Sequence, residues 1–281
     1  MGLINLFLFF SLFVNLIKSS TLDLNHLYNG VWLSGAAYCG KDNYKTMSIG
    51  GPATGFVYKD TLYDIKTDIQ GYIGALTSQK SIYVVLRGSS SIMNWLDDFE
   101  IKLVPYMSYP TCACNVHNGF YMSALGIKNK TVDTVKMLKK IYPTYSVVVT
   151  GHSYGAAVSQ ILAMELEREG IETKLYNYGQ PRVGDAKYAG FVNTVIKEYW
   201  RATHNKDVVP HVPPITGFGY LHSCREVFED ENNNLKECSE ANCEDPKCAD
   251  QFGLVQTDSN DHLYYLQHRV ACEESLLNTN K

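Results

Sequence analysis

Charge is scarce in this chain. Asp, Glu, Lys and Arg make up 19% of its 281 residues, the net charge is −4, and no run of like charges stands out. That excludes a nucleic-acid groove and a polybasic membrane patch, both of which need clustered cations. Internal repeats, low-complexity tracts and linkers are absent as well, which argues for one continuous domain. Long apolar runs are missing too. The longest spans residues 3–17, interrupted by Asn5, Ser11 and Asn15, and is too short to cross a bilayer comfortably. Ser19, Ser20 and Thr21 follow it, where a signal peptidase would cut. Residues 1–20 are therefore read as a signal peptide and residues 21–281 as a single domain, the alternative being an uncleaved anchor.

No C-x-x-C pair occurs among the eight cysteines, which weakens a zinc reading of Cys224, Cys238, Cys243 and Cys248. All eight lie beyond the leader, in keeping with an oxidising compartment and disulfides of open connectivity. Cys112 and Cys114 are spaced too tightly for an easy direct bridge and are expected to pair elsewhere.

What the chain does contain is one telling stretch. Val147, Val148 and Val149 form a short strand that runs into Gly151-His152-Ser153-Tyr154-Gly155, and an apolar helical pattern opens behind it. Strand, sharp turn and helix are the setting in which G-x-S-x-G exposes a serine hydroxyl at the top of a sheet. The two glycines are needed because side chains there would collide with the neighbouring strand and helix. Elsewhere, strands at 62–65, 69–76, 81–87, 174–178, 198–203 and 225–228 alternate with helices at 27–38, 120–141 and 185–196. Helix 120–141 should turn Leu125, Val132, Val135, Leu138 and Ile141 inward, and residues 263–270 close the chain as a buried element. Such alternation implies βαβ units and a largely parallel sheet.

A serine needs a base, and the base a carboxylate. In sheet-top hydrolases the chain order is serine, acid, histidine. Asp207 lies in the loop after strand 198–203, where the acid belongs, whereas Asp185 suits a helix cap. Among the later histidines, His204 and His211 flank Asp207 too closely, His268 falls inside the final apolar element, and His222 could be either structural or catalytic. His262 sits in a polar loop and is the expected base; His152, inside the elbow, should point away from the serine. Two N–H donors must meet the oxyanion, one from Tyr154 and one from the Gly88-Ser89 turn. Ile92, Trp95, Leu96 and Phe99 stand at helical spacing on one apolar face.

With these residues in order, the chain resembles the class 3 lipases, the filamentous-fungal type of triacylglycerol lipase. The resemblance runs from about Ala36 to Cys272. It rests on Arg87-Gly88-Ser89-Ser90-Ser91-Ile92 with Asn94-Trp95, on Val116-His117-Asn118-Gly119-Phe120, and on the elbow. Three further blocks complete it: Tyr178-Gly179-Gln180-Pro181-Arg182-Val183-Gly184, Asn205-Lys206-Asp207-Val208-Val209-Pro210-His211, and Asp261-His262-Leu263. It implies an α/β-hydrolase fold, the triad Ser153, Asp207 and His262, and an oxyanion hole at Ser89 and Tyr154. It also implies a lid carrying Ile92, Trp95, Leu96 and Phe99, and a terminal disulfide between Cys39 and Cys272. Tyr154 departs from the usual leucine and Ala156 from the usual glycine.

The function expected is a secreted serine esterase that cleaves acylglycerols at a lipid–water interface through an acyl-enzyme. No cofactor or metal, no nucleic acid and no stable membrane insertion are expected, and the protein should be a monomer. Phospholipase A1 and feruloyl-esterase activities are the alternatives within the class. A non-catalytic lipid carrier or a serine protease fits the residues less well. Asn129-Lys130-Thr131 is a candidate glycan acceptor on a helix face.

Overall fold

β-Branched and aromatic residues are densest in the segments that become the middle of one large sheet. The computed structural model describes residues 21–277 apart from 92, 93, 95, 96, 98 and 99. Residues 1–20, read as a leader, and Ile92, Trp95, Leu96 and Phe99, expected to form a lid, therefore lie outside the described residues.

Helix α1 (Leu24–Ala36) starts where the Asp23 carboxylate accepts the Asn25 N–H, an ordinary N-cap. Strands β1 (Phe56–Asp64), β2 (Ile69–Leu76) and β3 (Ser81–Leu86) follow as an antiparallel meander, with a bulge in β1 between Tyr58 and Asp60. Two short strands, β4 (Leu103–Pro105) and β5 (Asn115–His117), lead into the long helix α2 (Asn118–Ile141). The elbow strand β6 (Ser146–His152) and helix α3 (Tyr154–Arg168) come next, then β7 (Thr173–Tyr178), β8 (Gly184–Asp185) and helix α4 (Ala186–Val195). Strand β9 (Glu198–His204) precedes β10 (Tyr220–Leu221), β11 (Glu226–Glu229) and β12 (Leu235–Glu237). A small hairpin of β13 (Tyr264–Tyr265) and β14 (His268–Arg269) ends the series.

The large sheet has the order β1-β2-β3-β6-β7-β9-β11-β12. Neighbours from β3 through β11 run parallel, and antiparallel strands flank them at both edges. Both faces of the parallel block are covered, and at its centre β3 and the first half of β6 read as nearly continuous apolar runs. Alternation still decides the partner. Val147 and Val149 pack with α2 and α3 residues such as Val135, Leu138, Ile161 and Leu166. Val148 faces the other way, with Leu27 and Val31 of α1 and with Tyr83, Tyr176 and Trp200. As expected, the Asp185 carboxylate caps α4, accepting the Tyr188 N–H at 2.8 Å.

Two sequence expectations are corrected. Helix α2 buries Phe120, Ala124, Ile127, Thr131, Val132, Val135 and Leu138, but leaves Leu125 37% and Ile141 56% exposed. Apolar residues on both sides of that helix blur the phase of its stripe, and contact with α3 sets it. Cys112 and Cys114 pair with each other rather than elsewhere. Ala113 between them takes a left-handed φ of 47°, which folds the chain back and brings the two Cα atoms to 5.1 Å. The remaining bridges are Cys39–Cys272, Cys224–Cys243 and Cys238–Cys248. Glu226 lies beside Cys238 and Cys248, but sulfurs bonded to one another offer no thiolate to a metal.

Candidate active site

Ser153 occupies the bend between β6 and α3 with φ 60° and ψ −129°, backbone that a non-glycine residue adopts at a cost of about 1–3 kcal/mol. Its N–H donates to the Tyr178 carbonyl at 2.9 Å, and its own carbonyl accepts the Ala156 N–H at 2.9 Å, so the strain is held from both sides. Gly155 is obligatory here: a Cβ would lie 2.5 Å from the Leu86 carbonyl oxygen and 2.6 Å from that of Arg87. The serine thus stands at the N-terminus of a helix, where the macrodipole favours developing negative charge.

The loop after β9 brings in Asp207. Its Oδ2 accepts Nδ1–H of His262 at 2.7 Å and the Tyr265 hydroxyl, while Oδ1 accepts the Val209 N–H at 2.8 Å. Asp207 and His262 are both buried. With its proton on Nδ1, the imidazole keeps a lone pair on Nε2. Neither that Nε2 nor Ser153 Oγ, both buried, has a hydrogen-bond partner among the described residues. Burial first, and then the Asp207 charge, push the Tyr265 hydroxyl well above its ordinary pKa and keep it a donor.

The structure brings together residues that sequence reasoning left apart. Asp261, next to His262 in the chain, accepts Asn205 Nδ2–H at 3.0 Å and the Lys206 N–H at 3.1 Å through Oδ2. Its carbonyl accepts Nδ1–H of His204 at 2.9 Å, and the Asp258 N–H donates to the Lys206 carbonyl at 2.7 Å. The loop that delivers the histidine is therefore stitched to the loop that delivers the acid. Tyr265 was missed because a tyrosine three residues after a histidine carries no spacing signal. His268 stacks on Trp32 with ring centroids 4.2 Å apart, and His222 Nε2–H donates to the Pro210 carbonyl at 2.8 Å. Both are structural.

Ser89 and Tyr154 share the wall of a cavity of about 440 Å³ with Asp68, Arg87, Glu100 and His117. The Tyr154 hydroxyl is 2.5 Å from Ser123 Oγ, and its ring meets Phe120 edge-on at 5.3 Å, so the side chain leans on the start of α2. A second cavity of about 360 Å³, with Tyr38, Leu263 and Val270 in its wall, reaches Ser89 from the other side. A larger one of about 830 Å³ opens where β6 and β7 begin, at the opposite end of the sheet, and contains none of the residues above.

A family model described as lipase (class 3) matches residues 83–217. The chain is 34% identical to a lipase of Rhizomucor miehei, over 88% of this chain and 69% of the relative. It is 30% identical to a secreted mono- and diacylglycerol lipase 1 of Fusarium solani, over 91% of this chain and 80% of the relative. Among solved structures, the Rhizomucor miehei lipase propeptide complex superimposes with a TM-score of 0.81 at 32% identity, covering 89% of this chain and 82% of that one. A triacylglycerol lipase whose catalytic centre is described as a serine protease triad superimposes with a TM-score of 0.80 at 31% identity, covering 90% and 97%.

Proposed function

Because the chain belongs to the class 3 lipase family, with an α/β-hydrolase fold, we propose that it is a secreted serine esterase that hydrolyses acylglycerol ester bonds. Ser153 is the nucleophile, His262 the general base and then acid, and Asp207 the group that holds the imidazole. The observation that carries the assignment is the buried Asp207–His262 hydrogen bond together with a strained serine at a strand-to-helix bend, His262 Nε2 and Ser153 Oγ both being buried and without a hydrogen-bond partner among the described residues.

The chemistry follows from that arrangement. Ser153 Oγ attacks the ester carbonyl carbon as His262 Nε2 takes its proton. The tetrahedral intermediate places its oxyanion against the N–H groups of Tyr154 and the Ser89 turn, each worth about 3 kcal/mol. Collapse breaks the bond to the alcohol, which leaves with the proton from His262. Water then enters, gives a proton to His262, and releases the fatty acid and Ser153 by the same route reversed. Asp207 holds the ring through Nδ1–H and stabilises the imidazolium.

Ile92, Trp95, Leu96 and Phe99 form the lid in this reading, residues 1–20 the cleaved signal, and residues 21–281 one extracellular, monomeric domain. Among the described residues no helix is long and apolar enough to cross a membrane. The charged groups Asp68, Arg87 and Glu100 beside Ser89 favour one second reading, an ester with a polar group near the scissile bond, as in a phospholipid or a feruloyl ester. A panel of triglycerides, phosphatidylcholine and a feruloyl ester separates the two. Replacing Ser153 by Ala should abolish tributyrin hydrolysis and leave secretion normal. Activity retained in that variant refutes the nucleophile.

A further inference from the structure

The elbow carries a second histidine to which the reaction gives no task. His152 ends β6, is wholly buried, and has both ring nitrogens engaged. Nδ1 is 2.6 Å from the Tyr38 hydroxyl, and Nε2 is 2.8 Å from the backbone carbonyl oxygen of His262. Its ring lies against that of His262, with centroids 4.3 Å apart and planes at 34°.

The proton positions follow from what each partner can do. A carbonyl oxygen only accepts, so Nε2 carries a hydrogen. Burial holds the His152 ring neutral, far below the usual histidine range, so Nδ1 has a lone pair. Tyr38, kept protonated by burial, must then donate to it. One direction of donation results: Tyr38 O–H to His152, and His152 N–H to the main chain of His262.

We propose that Tyr38 and His152 are positioning residues for the catalytic base, a proposal that rests on the reading of Ser153 and His262 as nucleophile and base. The Asp207 bond fixes one atom of the His262 ring, and a ring tethered at one atom still pivots. The bond to the His262 carbonyl fixes its backbone within a 3₁₀ turn of three residues, and the flat face of His152 blocks the pivot. A neutral ring is required there, because His262 becomes an imidazolium during each turnover and a charged neighbour would oppose it. The titratable groups around the pair are Asp207 and Tyr265 against His262, Tyr265 and Tyr38 against His152, and Arg87 beyond Tyr38.

The test uses the purified enzyme and its Tyr38→Phe, His152→Leu and His152→Gln variants. Fluorophosphonate labelling to completion counts reactive sites. Then kcat and KM per labelled site are measured on a soluble short-chain ester from about pH 5 to about pH 9. Tyr38→Phe and His152→Leu should each lower kcat about tenfold, the effect of one hydrogen bond. KM and the position of the rising limb of the pH profile should not change. His152→Gln, whose amide N–H can reach the His262 carbonyl, should recover most of the loss. Wild-type kcat per site in Tyr38→Phe, a Gln variant no better than Leu, a loss confined to the number of sites, or a displaced pH limb would each overturn the proposal. If His152→Leu does not fold, Tyr38→Phe decides, since it removes a single hydroxyl. A wild-type enzyme that the probe does not label overturns the nucleophile assignment instead.

Discussion

A Cβ at Gly179 would lie 2.6 Å from Cε1 of His262 and 2.9 Å from the Tyr265 hydroxyl, and the residue has a φ of +55°. The His262 ring therefore has no room to retreat on that side. Replacing Gly179 by Ala should displace the imidazole and lower kcat by about 10²-fold, the usual effect of a misplacement near 1 Å, while the enzyme is still secreted. Kinetics normalised to labelled sites measure it. Ser153, Asp207 and His262 were legible as candidates because each lies where a strand or loop delivers it in hydrolase order. Tyr265, Asp261 and His152 were not. Their roles come from contacts across 55 to 114 positions, such as Lys206 to Asp261 and Tyr38 to His152, which no local pattern announces.

At the scale of elements, the buried strands were the most readable, since β2, β3, β6 and β7 are covered on both faces and β3 and β6 are rich in β-branched apolar residues. The small sheet of β4, β5, β8 and β10 went unseen because strands of two or three residues have no period to detect. The direct Cys112–Cys114 bridge was hidden for a related reason, since it depends on one left-handed alanine. The apolar spacing of Ile92, Trp95, Leu96 and Phe99 makes a prediction of its own. If that face covers the site in water and turns outward at lipid, the rate should break upward at the substrate concentration where an emulsion forms. A rate that saturates smoothly through that point would argue against an interfacial lid.

Across the whole molecule, the cysteine-crossed segment after β12 supports the site from a distance. Arg182 makes paired bonds of 2.9 Å to both carboxylate oxygens of Glu244, and its Nη1 reaches the carbonyls of His211 and Pro213 in the segment after Asp207. Burial alone would raise the Glu244 carboxyl; His222, whose backbone N–H it accepts, and the Arg182 guanidinium hold it down at about 2. A carboxyl whose pKa falls from 4.5 to about 2 on folding stabilises the protein above about pH 4.5, and that contribution is lost as pH drops toward 2. Thermal melts should show the wild-type Tm falling through this window, and a Glu244→Gln variant should show a shallower slope from a lower starting Tm. The sheet's outer strands have a different consequence. β1 kinks at its bulge and exposes Lys59, and β12 stops after three residues with Lys236 and Glu237 exposed. A second copy finds no long, straight, uncharged row of amides to extend, so strand-by-strand aggregation has no template at either margin of the molecule.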